Sequence, residues 1–208
     1  TINLVIISSF FLIILAFISN YGNRVSKSKL LQILNIISIS GYAIPGIILA
    51  VAFITFISWM DSNIINYFEM GSIKSFFIGS TLGLVLVYFI RFYSLANNGI
   101  KSGYAKINYS IDEGAYLLGY SKFKTFKNIH VPYLKNSIFL VSILLTIEII
   151  KELPITLILR PFNFETFATK AYLFASQDLL EAAAAPSLIL IIIASFFILI
   201  TSRYILKE

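Results

Sequence analysis

Cysteine is absent from the 208 residues, and histidine occurs once. Without cysteine the chain can form no disulfide framework and no cysteine-ligated metal site, and one histidine is too few for a zinc cluster. Charged residues are also scarce, at 12% against about 25% in soluble domains, whereas 58% of the residues are hydrophobic. These scarcities argue against a metalloenzyme and against a soluble domain, and they predict a polytopic membrane protein.

Motifs for nucleotide or hydrolase chemistry are missing as well. Gly114 and Gly119 have the spacing of a phosphate-binding loop, but Tyr120 stands where the lysine should be, and no strand is expected before them. The chain has no H-E-x-x-H and no G-x-S-x-G sequence. We therefore expect no ATPase site, no protease or lipase site and no cofactor.

Five long apolar runs predict membrane helices in an all-α chain. About 20 apolar residues are needed to cross a hydrocarbon core of about 30 Å. The first run lacks the positive flank and cleavage site of a signal peptide, so we interpret it as a membrane helix. The last is expected to carry Pro186 in its first turn, where a proline costs little. The predicted spans are 4–19, 34–60, 75–95, 137–150 and 186–202.

Glycine and proline mark two of these spans. Gly41, Pro45 and Gly46 interrupt the second span, and such a kink can either serve packing or line a transport path. Gly79 and Gly83 have the G-x-x-x-G spacing that lets a neighbouring helix approach closely. Before the last span, about 153–185, the chain is too polar to cross, and we expect a loop with a surface helix from Thr166 to about Ser176.

The distribution of charge predicts the orientation of the spans. Twelve of the sixteen basic residues, but three of the ten acidic residues, fall on the side that also receives the C-terminus. Since basic loops stay in the cytoplasm, this side is expected to be cytoplasmic and the N-terminus to lie outside. Membrane topology therefore explains the net charge of +6, and no nucleic-acid partner is needed.

A polar, basic island, Ser110 to Pro132, lies between the third and fourth apolar runs. Ser110 and Glu113 have the spacing of a capping box, which predicts the start of a helix. Gly119 predicts the turn that ends it, Ser121 offers a second N-cap, and Pro132 is expected to close the second helix. By this pattern alone the island could also be an amphipathic connector at the membrane surface.

The island resembles the EAA loop of bacterial ABC importer permeases, whose pattern is E-A-A, three residues, G, nine residues, I-x-L-P. The spacing matches throughout, with Gly114 in place of the middle alanine and Val131 in place of the leucine. Glycine lowers helix propensity by about 1 kcal/mol relative to alanine. The segments that carry the resemblance are Glu113-Gly114-Ala115, Gly119 and Ile129-His130-Val131-Pro132.

This resemblance implies a type I ABC permease domain over 1–208, with a cytoplasmic helix-turn-helix coupling loop at about 99–135. It implies docking of the loop in a groove of a separate ABC ATPase dimer. It also implies a place in the bacterial inner membrane, in contact with lipid, and an extracytoplasmic solute-binding protein as partner. The implied ATPase-coupling residues are Glu113, Gly114, Ala115, Leu118, Gly119, Ile129 and Pro132.

Two further stretches resemble iron(III) permeases. They are G-Y-A-I-P-G at 41–46 and K-E-L-P-I-T-L-I-L-R-P-F-N-F-E-T-F-A-T-K at 151–170. Permeases of that kind are often fused pairs of halves, and this chain resembles the second half. The resemblance therefore implies a second permease half, in the same or another chain.

Charged residues at the end of the fourth span are candidates for the transport path. Glu148, Lys151 and Glu152 are costly at that depth and are expected to face protein or water. A hard trivalent cation favours oxygen ligands, so both glutamates are candidate transient metal contacts, with Pro45 and Lys151 beside the path. The alternative is an ion pair that serves structure alone.

The sequence thus predicts the permease subunit of an ATP-driven importer that carries iron(III). Thiamine, phosphonate, sulfate or a polyamine are alternative cargoes, because the coupling loop carries no information about cargo. A carrier or channel without an ATPase is the alternative from another class, and it would have no need of the loop. A membrane enzyme is disfavoured because the residues for its chemistry are missing.

Overall fold

The computed structural model describes residues 1–26, 29–67 and 77–205, and in these ranges every regular element is a helix. The helices are α1 (Ile2–Ser26), α2 (Lys29–Ile39), α3 (Gly46–Tyr67), α4 (Thr81–Ala105), α5 (Tyr109–Leu117), α6 (Lys122–Thr125), α7 (Val131–Tyr133), α8 (Lys135–Ile150), α9 (Pro154–Leu159), α10 (Phe167–Ser176) and α11 (Leu180–Ile205). A 3₁₀ turn (Ser40–Ala43) separates α2 from α3, and a π-helical turn (Phe126–His130) separates α6 from α7.

The predicted all-α membrane class is confirmed. Among the described residues, α1, α3 and α11 are each long and apolar enough to cross a membrane. The segments Lys122–Tyr133 and Lys135–Ile150 meet at 67° and qualify together as a fourth, broken span. Helix α4 has 25 residues, but it is less apolar and lies at the centre of the bundle. The protein is therefore a multi-pass membrane protein.

Several predicted boundaries were wrong. Helix α4 begins at Thr81 rather than at 75 and continues ten residues beyond the predicted end. Helix α11 begins at Leu180, so Pro186 lies inside the helix and not in its first turn. Helix α3 continues to Tyr67, beyond the predicted end of the second span at 60. The rest of the stretch between the second and third predicted spans, 68–74, lies outside the described residues, and so do some of the charged residues counted for the orientation, Lys27 and Lys207 among them.

Two local predictions are confirmed. The break in the second span falls at 40–45, where the chain leaves helix α2 and enters α3 at Gly46. Helix α10 begins after Thr166, whose hydroxyl accepts from the amide of Thr169, and ends at Ser176. Both features are encoded within a few neighbouring residues, by a glycine and proline pair in one case and by an N-cap in the other.

Helix α4 forms the centre of the core and packs against α1 and α8. Its largest side chains, Tyr88 and Phe92, are fully buried and contact each other edge to face. Asn97 is buried too, and its side-chain oxygen accepts a hydrogen bond from Asn20 of α1 at 2.7 Å. Since an unpaired amide inside a membrane protein is costly, this pair fixes the register of α1 on α4.

Small residues allow α4 to approach its neighbours closely, but they are not the ones that the sequence indicated. Gly79 lies before α4 at φ +66°, so the expected Gly79 and Gly83 helix pair does not form. Gly99 and Gly103 take this part instead. A Cβ at Gly99 would collide with Val141 of α8, and one at Gly103 with Ser137 and Leu134.

The contact between α4 and α8 can be tested with two variants, in each of which one glycine is replaced by alanine. Gly103→Ala is expected to destabilise the protein by about 1–3 kcal/mol through overpacking, which exceeds the gain of about 1 kcal/mol in helix propensity. The control is Gly114→Ala, where a new Cβ meets no atom within 4 Å and stability should hold or rise. Thermal unfolding in detergent measures both. Equal stability of the two variants would contradict this packing.

Candidate functional site

The polar island between α4 and α8 folds as two short helices, as predicted, but the first begins two residues earlier than expected. Asn108 caps α5, and its side-chain oxygen accepts from the amide of Ser110 at 3.2 Å. The predicted capping box of Ser110 and Glu113 is therefore wrong. Asn108 has the extended backbone that an N-cap requires, whereas Ser110 already lies within the helix.

The glycine turn is confirmed in detail. Gly119 has φ +79°, a conformation that glycine adopts without strain. The amide of Tyr120 donates to the carbonyl of Ala115, and the amide of Gly119 donates to Tyr116, which together form a Schellman motif. Ser121 then caps α6 by accepting from the amide of Lys124, as the sequence predicted.

Pro132 does not close the second helix, contrary to expectation. The chain passes from α6 through the π-helical turn into α7, where Pro132 lies in the first turn and its missing amide costs little. The bend comes two residues later, at Leu134, and there the loop joins α8 at 67°. The loop is therefore continuous with a membrane helix rather than separated from it.

A buried cluster of three charged or polar side chains ties the loop to α1. Asp112 of α5 accepts from Arg24 Nε at 2.7 Å through one oxygen, and its other oxygen lies 2.7 Å from His130 Nε2. The Arg24 guanidinium also donates to the carbonyls of Ile107 and Asn108, at 3.0 Å each, and lies 4.2 Å from the Tyr109 ring centre. We call Arg24, Asp112 and His130 the anchor cluster.

Aromatic rings surround the histidine of the anchor cluster. The rings of Tyr21 and Tyr104 lie 5.3 and 5.4 Å from that of His130, and the Tyr21 hydroxyl donates to the carbonyl of Lys122 at 2.6 Å. His130 itself is fully buried, and a buried charge is costly. A neutral imidazole that donates from Nε2 to Asp112 fits this arrangement, with Arg24 as the counter-charge.

The far end of the loop is apolar and exposed. Leu117 is 90% exposed, Leu118 81% and Phe123 73%. We call these three residues the loop tip. Exposed clusters of large apolar side chains commonly mark sites of interaction with another protein. The loop thus has a buried polar base and an exposed apolar tip.

The predicted coupling residues divide between these two ends. Leu118 is in the tip, and Glu113, Gly119 and Pro132 are also exposed. Ala115 lies on the buried face of α5, while Gly114 and Ile129 are half-buried. The sequence argument missed Leu117 and Phe123, and it missed Arg24 and Asp112 altogether. A signal for Asp112 was present in the sequence, because the surrounding loop is rich in lysine and contains only one other acidic residue, its neighbour Glu113.

The second group of predicted residues lies where α8 ends. Lys151 pairs with Glu148 at 2.6 Å, and the Tyr42 hydroxyl lies 3.4 Å from the other Glu148 oxygen. Glu152 is buried and accepts from the amide of Ile155 at 3.2 Å. Among the described residues, no three histidine or acidic side chains converge as a resident metal site.

These charges face the break between α2 and α3. Glu152 lies beside Gly46, where an added Cβ would be 3.2 Å from its carboxylate oxygen, and Pro45 directly precedes this glycine. Arg91 of α4 donates to the carbonyl of Ile44. The break therefore brings two carboxylates and two cations together at one point of the bundle.

Comparison with known proteins finds similarity both in sequence and in structure. No protein-family model matches the chain. The chain is 19% identical over 166 residues to the Fe(3+)-transport system permease protein FbpB 2 of Haemophilus influenzae. The aligned part covers 80% of this chain and 30% of that protein. A bacterial ABC transporter involved in the import of the acidic polysaccharide alginate matches with a TM-score of 0.64 at 15% identity, over 97% of this chain and 77% of that one.

The chain has the fold of a bacterial ABC importer permease. The structural match covers nearly the whole of this chain. The chain spans less than a third of the length of the Haemophilus protein. The structural match agrees with the predicted fold class and with the resemblance that the EAA-like spacing indicated.

The anchor cluster predicts a large difference between neighbouring carboxylates. Asp112→Ala would leave Arg24 buried without its partner and is expected to cost about 3–5 kcal/mol. Glu113→Ala removes an exposed carboxylate from the next position and should change stability by less than about 0.5 kcal/mol. Hydrogen exchange of α5 and thermal unfolding in detergent measure the effect. Similar losses in both variants would contradict the anchor.

Proposed function

We propose that the chain is a permease subunit, or half of one, in an ATP-driven bacterial importer, and that its loop tip binds a separate ATPase. The observation that carries the proposal is the exposed apolar tip of Leu117, Leu118 and Phe123, held on a rigid base in a permease fold. Such a tip suits a groove in a partner protein, where an apolar helix face is buried.

The contacts around the loop explain how movement of the tip would reach the membrane. The anchor cluster joins the loop to α1, and the chain continues through Leu134 into α8. Gly99 and Gly103 place α4 directly against α8. Because these elements are tightly packed, a displacement of the tip by a closing ATPase dimer would move them as rigid bodies and switch the access of the path.

The assembly follows from the same proposal. The lysine-rich end that carries the loop faces the cytoplasm, with the N-terminus outside and the C-terminus inside. The membrane is the bacterial inner membrane, and a solute-binding protein delivers cargo from the other side. A second permease half completes the path. This part of the proposal is supported by the Haemophilus protein, because the chain matches only 30% of its length. The ATP is hydrolysed by the partner, so this subunit is not itself an enzyme.

Iron(III) is the proposed cargo. Its support is the Fe(3+) transport of the Haemophilus protein and the pair of carboxylates, Glu148 and Glu152, beside the helix break at Pro45. Carboxylate oxygens suit a hard cation that passes from site to site. Thiamine, phosphonate, sulfate and polyamines stay as alternative cargoes, and a carrier without ATPase is the alternative mechanism.

Partner binding can be tested with one substitution at two exposed phenylalanines. Phe123→Asp at the loop tip is expected to weaken co-purification with the cognate ATPase at least tenfold, because loss of an apolar anchor commonly costs about 2 kcal/mol or more. Phe162→Asp is the control, since Phe162 is 94% exposed in the loop before α10. Undiminished ATPase recovery with Phe123→Asp would contradict binding through the loop tip, and no recovery with the unsubstituted chain would favour the carrier without ATPase.

Cargo can be tested separately from ATPase binding. In the assembled transporter, Glu148→Gln with Glu152→Gln is expected to lower iron(III) uptake by roughly tenfold, the factor that a loss of about 1.4 kcal/mol at the path would give. ATPase recovery should be unchanged. Glu165→Gln, an exposed carboxylate near Arg160, is the matched control. Unchanged uptake with the double variant would establish the Glu148 and Lys151 pair as structural.

A further inference from the structure

A large polar cavity lies between α1, α2 and α4, at the end of the bundle that carries the loop. Its volume is about 830 Å³, and α4 and the turn after it form one wall. Six residues with carboxamide side chains line it, a concentration that is unusual for a chain so rich in apolar residues. They are Asn20, Asn23, Gln32, Asn35, Asn97 and Asn108.

The charge of this cavity is positive. Arg24, Lys101 and Lys106 line it, and no carboxylate does so among the described residues. Arg24 is already paired with Asp112, but neither lysine forms an ion pair within the part of the chain that the structure describes. Two cations without counter-charges therefore border a polar space, which favours an anionic occupant.

Two residues of the cavity also carry buried oxygens without partners. The Asn23 side-chain oxygen and the Tyr104 hydroxyl are buried and form no hydrogen bond among the described residues. Tyr104 as a whole is only 6% exposed. A buried polar atom without a partner costs about 1–3 kcal/mol, so an occupant would be favoured if the two side chains turn these atoms toward the cavity and bond to it. The asparagine oxygen needs a donor, whereas the tyrosine hydroxyl can donate to an anion.

The remaining lining and the position of the cavity narrow the class of ligand. Ile36 and Ile39 of α2 add an apolar side to the polar wall. Basic pockets between membrane helices at the cytoplasmic end bind the head groups of anionic lipids. A phosphate that also carries hydroxyl groups would satisfy the lysines, the tyrosine and the asparagine together.

We propose that this cavity binds a phosphate group with neighbouring hydroxyls, supplied either by an anionic phospholipid such as phosphatidylglycerol or by a soluble glycerol phosphate. Lys101 and Lys106 provide the charge, and Asn23 and Tyr104 provide the directed hydrogen bonds. The occupant stabilises the wall that contains Arg24, and through it the base of the loop. The site is independent of which solute the permease carries.

The test measures thermal stability of the purified chain in neutral detergent. One arm adds phosphatidylglycerol in mixed micelles, with phosphatidylcholine as the reference, and the other adds glycerol 3-phosphate. The expected result is that one arm stabilises the wild-type protein. In Lys101→Gln and in Lys106→Gln, the ligand concentration that gives half of this stabilisation should be roughly fivefold higher for each lysine replaced. The arm that responds identifies the source of the phosphate.

Two comparisons make the result specific to the cavity. Lys122→Gln with Lys127→Gln removes the same charge from the loop, away from the cavity, and should leave the midpoint unchanged. Tyr104→Phe should preserve stability without ligand and weaken the response to it. If neither arm stabilises the wild type, or if both lysine pairs alter the midpoint equally, the site does not exist.

Discussion

The contact of Asp112 with Arg24 and His130 is the interaction on which the loop depends. It joins residues that are far apart in the chain, and it is the principal polar tie between α1 and the loop. Removal of a carboxylate from water costs several kcal/mol, which only well-placed partners can offset. Arg24 meets that requirement with further bonds to the carbonyls of Ile107 and Asn108, so the base of the loop is held at several points.

A rigid base gives the exposed tip its use. If the loop were free to swing, a force applied at Leu117 or Phe123 would be lost in local motion. The Schellman turn at Gly119 and the cap at Ser121 restrict α5 and α6 relative to each other, and the anchor cluster restricts both relative to α1. The same loop therefore combines an unpartnered apolar surface with a fixed position, which is the arrangement that transmission of a rigid-body movement requires.

The sequence predicted what is encoded locally and missed what depends on distant contacts. The turn at Gly119, the start of α10 at Thr166 and the break at 40–45 each follow from a few adjacent residues. The anchor cluster could not be found this way, because 88 positions separate Arg24 from Asp112. Spacing alone also selected the wrong glycines, since it cannot show that α4 begins only after Gly79 or that α8 lies beside Gly103.

The two ends of the bundle differ in electrostatic character. At the helix break, Glu148 and Glu152 present oxygens that suit a hard cation, and Lys151 and Arg91 offset their charge. At the loop end, lysines and carboxamides line a cavity without a carboxylate among its described residues. A cation would find oxygen ligands in the first region and would be repelled by the second. The cavity beside the loop is therefore poorly suited to hold a metal cargo, and its charge is better matched to a phosphate that stays in place while the bundle moves.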